Sequence, residues 1–341
     1  MSPSRDPVEA RADEDRDLYE VSTWEPRTTL DALSEGLYAT GISVGRLFVI
    51  LLALAILVGQ FALGGLGAVT DPIIGVFTVL SAVPALGLAA YVWYADVTTS
   101  EPLELLVGTF VLGVLFAGFA GILNGIADWG IQELGLTIGI VGFVFQILFF
   151  FVVVGPVEET VKLLAVRLYA YRKPEFDAVV DGAVYGAMAG LGFATIENAI
   201  YISGQTQGIA DPLNLVAAGS GITAVRALAG PGHVIYSAFA GYYLGLAKFN
   251  RENAGPIVVK GLLIAAVVHA TYNSLSSVVP SIVATLTGVP WFVAFFGFII
   301  VYDGVFGLLL LRKIARYRRA YNRAHDEIPD GHEPELTEFD G

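Results

Sequence analysis

The chain has 341 residues, 55% of them hydrophobic and 15% charged, a balance that points to a polytopic membrane protein rather than a soluble domain. Its formal net charge of −13 argues against nucleic acid as a partner, and the absence of cysteine excludes disulfides, thiolate metal ligands and a cysteine nucleophile. Ten of the 32 acidic residues precede residue 36 and seven follow residue 325, so most of the negative charge sits in two tails.

Residues 1–45 read as an acidic N-terminal tail, poorly ordered and without the pattern of a cleavable signal peptide. Apolar stretches of about 20 residues, the length that spans a bilayer, follow near 46–68, 73–95, 103–127, 140–171, 178–202, 214–249, 257–279 and 290–312. They predict an all-α polytopic bundle of eight transmembrane helices occupying 46–312, with a basic and then acidic tail at 313–341. The sixth stretch contains Ala229-Gly230-Pro231-Gly232 and is expected to break in two at Pro231. The loops near 69–72, 128–139, 203–213 and 280–289 carry no lysine or arginine. The alternate loops and the end of the last span carry Arg172, Lys173, Lys248, Arg251, Lys260 and the cluster Arg312, Lys313, Arg316, Arg318 and Arg319. That asymmetry places both termini in the cytoplasm of a multi-pass cell-membrane protein. The acidic tails with few lysines further suggest a salt-loving cell.

Ionisable residues inside spans raise a functional hypothesis by default. Here they are Glu158, Glu159 and Lys162 on span four, Glu197 on span five, Arg226 and His233 on span six, His269 on span seven and Asp303 on span eight. At about 1.5 Å of rise per residue, Glu158, His233, His269 and Asn273 lie at similar depth, roughly 14 to 22 Å from the cytoplasmic ends. Glu197 and Arg226 come out higher, at roughly 28 to 33 Å. Glu158 with Lys162, Phe193 with Glu197, and His269 with Asn273 are i, i+4 pairs and share helix faces. Each residue alone has a structural reading as an ion pair or a helix-to-helix hydrogen bond. Together they describe a polar chamber open to the outside. Gly182, Gly186 and Gly190 on span five, and Gly241 and Gly245 on span six, let helix backbones approach closely around it. Pro156 loosens the helix just before the paired carboxylates. Asp303, beside Tyr302, has no partner by spacing.

A carboxylate in apolar surroundings accepts a proton from water, while histidines and an amide donate to an oxyanion or hold a metal. The reaction class that fits is amide hydrolysis by an activated water. Other intramembrane protease chemistries fit less well: H-E-x-x-H is absent, Ala218-Gly219-Ser220-Gly221 lacks the first glycine of G-x-S-G, and Tyr302-Asp303 lacks a G-x-G-D partner.

Glu158-Glu159-x-x-Lys162, Phe193-x-x-x-Glu197-Asn198, Arg226 with His233, and His269-x-x-x-Asn273 resemble, in order, the motifs of the PrsW family of intramembrane proteases, over about 150–280 within a motif-bearing core at 140–280. That family is similar to the CAAX prenyl endopeptidases and bacteriocin-processing enzymes. The resemblance implies an intramembrane endopeptidase, embedded in the lipid bilayer, that cleaves a membrane-protein substrate. It implies that Glu158 is the water-activating base, that Glu159 and Lys162 tune it, and that His233, His269 and Asn273 bind the oxyanion or a divalent metal such as zinc, with His233 and His269 as its ligands. Glu197 stands where the CAAX enzymes carry histidine, which leaves it free to pair with Arg226, with Asn198 beside it in a supporting part. Two other classes use the same residue types: a proton-coupled transporter, for which no inverted repeat of the broken span is visible, and an inactive membrane scaffold or sensor.

Overall fold

The computed structural model describes residues 6–12, 16–38, 71–96, 101–209 and 211–326. The expected first span at 46–68, His332 and the end of the C-terminal tail lie outside the described residues. The chain is all-helical: α1 (Pro7–Arg11), α2 (Pro72–Tyr94), α3 (Leu103–Glu133), α4 (Gly139–Phe149), α5 (Gly155–Leu168), α6 (Val179–Thr206), α7 (Pro212–Phe249), α8 (Ala254–Leu275), α9 (Val278–Thr287) and α10 (Trp291–Asp326). Residues 29–38 are also helical. Among the described residues seven helical stretches are long and apolar enough to cross a membrane. Large apolar side chains stand exposed on their outer faces, for example Val79 at 66% and Val301 at 67%. Water does not tolerate a continuous belt of this kind, and lipid does.

Helix starts follow from local chemistry. Asp71 caps α2, accepting from Ile73 N at 2.9 Å, and Asp211 caps α7, accepting from Asn214 N at 2.9 Å, each followed by a proline whose missing N–H costs nothing at that position. Pro231 does not break the sixth span: Pro212–Phe249 is one helix, a correction to the sequence expectation. An internal proline removes one donor and crowds one carbonyl, and in a packed bundle the neighbouring helices hold the remaining turns in place.

The centre of the bundle is α6, buried on nearly every side, and α7 runs antiparallel to it. The two meet backbone to backbone. A Cβ on Gly182 would stand 2.1 Å from Gly241 O, one on Gly186 2.3 Å from Ser237 O, and one on Gly190 2.4 Å from His233 O. The glycine spacing seen in the sequence therefore serves close packing. Gly155 on α5 likewise faces Ala266 O of α8, at 2.6 Å from where its Cβ would be.

At the end of the bundle that carries Lys248, Lys260 and Lys313, the N-terminal segment is packed rather than loose. Val8, Leu18, Val21 and Trp24 are buried there. Lys260 bonds Asp31 Oδ1 at 2.5 Å and also Glu20, Trp24 N donates to Asn250 Oδ1 at 2.8 Å, and Tyr317 Oη donates to Asp6 Oδ2 at 2.9 Å. Burial alone would raise the Asp31 carboxyl, but Lys260, Tyr19 and Thr28 hold it well below the usual carboxylate range. The expectation of a loose tail thus fails for these residues, because their apolar and charged side chains both find partners on α7, α8 and α10. The C-terminal tail is likewise helical as far as Asp326.

Candidate active site

Between α4 and α5 the helix widens into a single π turn, Phe150–Val154. Pro156 cannot donate to the carbonyl four residues back, Val152, and the turn holding that carbonyl is the one that widens. Directly after it α5 presents Glu158, Glu159 and Lys162.

Lys162 is the hub. Fully buried, its Nζ lies 2.7 Å from Glu159 Oε1, 3.7 Å from Glu158 Oε2 and 2.9 Å from His233 Nδ1, and 4.2 Å over the Phe193 ring. An ammonium only donates, so Nδ1 of His233 accepts and its proton sits on Nε2. That Nε2 donates to Glu197 Oε2 at 2.8 Å, which also accepts from Arg226 at 2.7 Å. Arg226 Nε donates to Asn198 Oδ1 at 2.7 Å, and Asn198 Nδ2 to Ser81 Oγ of α2 at 3.0 Å. One hydrogen-bonded chain therefore links α2, α6, α7 and α5.

The expected pairing of Glu197 with Arg226 is present, with Asn198 in support. Counting residues along the axes nevertheless placed Glu197 above His233, whereas the two touch. Side chains lean toward the N-terminus of their own helix, and since α6 and α7 are antiparallel, Glu197 and His233 lean toward each other.

The two adjacent glutamates have different surroundings. Glu159 is fully buried, with Oε1 held by Lys162 and by His269 Nδ1 at 2.9 Å, and Oε2 accepting from Ser237 Oγ at 3.3 Å. Glu158 Oε1 accepts from Asn124 Nδ2 at 3.0 Å, while its Oε2 is buried without a hydrogen-bond partner, 3.8 Å from His269 Nε2. Three carboxylates, Glu158, Glu159 and Glu197, meet two fixed cations, Lys162 and Arg226, in one connected cluster.

Glu158, Glu197, Arg226, His233, His269 and Asn273 all line a cavity of about 650 Å³, a size that holds a short peptide segment. Its apolar walls include Phe149, Phe150, Phe193, Tyr272 and Trp291. Asp128 near the end of α3, Ser277 after α8 and Trp291 at the start of α10 also line it, at the ends of their helices away from Lys248 and Lys260. Glu159 and Lys162 stand behind the wall. Asp303, unpaired by spacing, accepts from Tyr236 Oη at 2.8 Å, and the Tyr236 ring lies 5.4 Å from that of His269. Asn124, Ser237 and Tyr236 were missed by sequence reading. Asn124 is a polar residue inside an apolar span, four residues before Asp128, and both line the chamber.

Ligand atoms of Glu158, His233 and His269 lie within 4.8 Å of one another, which is room for a metal ion. The donor set is incomplete for one. Both ring nitrogens of His233 are committed, to Lys162 and to Glu197, leaving Glu158 Oε2 and His269 Nε2 open. Two open donors are one short of the three protein ligands of a catalytic zinc, and the Lys162 ammonium already supplies positive charge there.

A family profile described as PrsW family intramembrane metalloprotease matches residues 101–301. The chain is similar to the Protease PrsW of Halalkalibacterium halodurans, 29% identical over 201 residues that make up 58% of this chain and 83% of that protein. The Geobacillus kaustophilus Protease PrsW is 30% identical over 208 residues, 58% of this chain and 80% of that one. For the Bacillus subtilis Protease PrsW the figures are 27% over 201 residues, 58% and 82%. No solved structure matches.

Proposed function

Because the chain belongs to the PrsW family of intramembrane metalloproteases, we propose that it is an endopeptidase cutting a membrane-anchored protein with a water activated by Glu158. The observation that carries this reading is the contrast between the two glutamates. Glu159 is saturated by Lys162, His269 and Ser237, while Glu158 keeps one carboxylate oxygen unbonded on the wall of the chamber. A general base needs a free oxygen within reach of water, and of the two only Glu158 has one.

In the reaction, the water oxygen forms a bond to the substrate carbonyl carbon as its proton passes to Glu158 Oε2. The carbonyl π pair moves onto oxygen. Asn273, whose side chain lines the chamber, supplies an amide N–H toward that oxyanion. As the oxyanion collapses, the C–N bond breaks and the proton on Glu158 moves to the leaving nitrogen, giving a carboxylic acid and an amine. Glu159 and Lys162 fix His269 and His233, and Glu197 with Arg226 anchors His233 from the other side. The Lys/Arg distribution supports cytoplasmic termini in the cell membrane and a chamber open outward, so the substrate is cut on its outer side.

Co-expression with a single-span reporter tests this. Cleavage is expected with the parent chain and lost in Glu158→Gln and His269→Ala, with both variants still accumulating; cleavage surviving Glu158→Gln sinks the mechanism. The 4.8 Å cluster and the family's description favour a second reading, in which Glu158, His269 and a His233 released from Lys162 would hold a divalent metal that would supply positive charge to polarise the water. Loss of cleavage on chelation and its return with added zinc would establish that alternative.

A further inference from the structure

Glu158 has a neighbour on a different helix, far from every motif. Asn124 of α3 donates from Nδ2 to Glu158 Oε1 across 3.0 Å. An ionised carboxylate only accepts, so the amide nitrogen must face it and the amide oxygen must point elsewhere. That oxygen, Asn124 Oδ1, is buried without a hydrogen-bond partner among the described residues, as is Glu158 Oε2. Both residues line the same chamber.

Buried acceptors left without a donor are costly and rare in folded proteins, so two of them on hydrogen-bonded neighbours mark a place where a donor arrives. Among the described residues no protein donor reaches either oxygen: Lys162 Nζ, which bonds Glu159 and His233, stands 3.7 Å from Glu158 Oε2, and His269 Nε2 stands 3.8 Å from it, both beyond hydrogen-bond reach. A small donor with two hydrogens, able to serve both acceptors at once, is water.

We propose that Asn124 is a catalytic residue: its Oδ1 and Glu158 Oε2 together hold the nucleophilic water. The proposal rests on the reading of Glu158 as the base. A water donating one hydrogen to each of two fixed acceptors keeps a lone pair turned to the chamber, where the scissile carbonyl arrives. On attack, the O–H bond facing Glu158 breaks and its proton moves to Oε2. The hydrogen held by Asn124 stays on the oxygen and becomes the hydroxyl of the new carboxylic acid. Without Asn124 the water still reaches Glu158 but swings about a single hydrogen bond, so binding of substrate is untouched and turnover falls.

The full-length chain, purified with a single-span reporter, tests this with Asn124→Ala, Asn124→Leu and Glu158→Gln side by side. Asn124→Ala is expected to lower kcat about 100-fold with KM within about twofold. Formamide, which restores the missing amide in the vacated space, should recover at least about tenfold of that loss. If Asn124→Ala fails to accumulate, Asn124→Leu, which keeps the branching of the side chain and has no acceptor for the water, is expected to show the same kcat loss. Near-parent kcat in the Asn124 variants with an inactive Glu158→Gln overturns the role of Asn124 and leaves the base in place. An active Glu158→Gln overturns the reading of the base and this proposal with it. A joint fall in stability and kcat without rescue by formamide makes Asn124 a tie between α3 and α5 only, and also overturns the proposal.

Discussion

The distance between α6 and α7 at Gly190 sets the contact of Glu197 with His233, so Gly190→Ala perturbs the site without touching a polar group. The added Cβ would stand 2.4 Å from His233 O, whereas ordinary contact begins at 3.4 Å. The obstacle is backbone, which cannot rotate aside, so the helices must part by about the 1 Å difference between those values. Adding that to the 2.8 Å between His233 Nε2 and Glu197 Oε2 takes the pair beyond hydrogen-bond reach. A 1 Å misplacement of catalytic groups costs on the order of 100-fold in rate, and the overpacking itself costs about 1 to 3 kcal/mol of stability. The matched control is Gly204→Ala on the same helix, where nothing lies within 4 Å. That change should leave cleavage unaltered and stabilise the helix by about 0.5 to 1 kcal/mol. Reporter cleavage and thermal unfolding of the three proteins supply both readouts. Gly190→Ala with the kcat/KM of the parent chain would refute the reasoning, since backbone contact would then not be fixing the site.

Two further perturbations address the opposite end of the bundle. Burial pushes the Glu101 carboxyl up to about 8, against the hydrogen bond from Tyr185 and helped by Asp96 and Asp177. A group whose folded value lies above its ordinary 4.5 stabilises fully below that value and loses this contribution as pH rises through 8. The thermal midpoint should therefore fall across that window, and Glu101→Gln should flatten the fall; an unchanged profile refutes the assignment. Lys260→Met leaves buried Asp31 without its cation, at a cost of about 3 to 5 kcal/mol. Limited proteolysis should then cut within residues 16–38, and continued protection of that segment counts against the clasp.

Much of the site was legible because its residues recur at helical spacing inside apolar runs. Glu158 with Lys162 and His269 with Asn273 are each four apart, and depth counting brought Glu158, His233, His269 and Asn273 to a similar level without a structure. What spacing cannot convey is the direction of a side chain across a helix pair, which is why Glu197 was set above His233. Nor can it announce a partner on another helix: Asn124 and Asp303 acquire meaning only when α3 meets α5 and α10 meets α7. The proline signals divided. Pro156 lies just after the π turn it promotes, while Pro231 sits in a helix held by its neighbours and leaves it unbroken. The N-terminal segment was misread because composition reports charge, and here the charge is matched by Lys260 and Lys313.

The clasp also fixes an order of assembly. Asp6 bonds Tyr317, 311 residues away, and Glu20 meets Lys313 across 293. Contacts of such separation form only after synthesis has run almost to the end, because their partners do not yet exist. The helices that carry the motifs, α5 to α8, are all made before α10, so the polar cluster can assemble first and Trp291 and Phe295 complete the chamber wall afterwards. Leu18 and Val21, which border Arg316 and Ala320 of α10, then wait exposed until the last helix enters the membrane and gives them a surface to cover. A chain truncated before α10 would keep every motif residue and still leave its earliest apolar side chains in water, where chaperones and proteases recognise unfinished proteins.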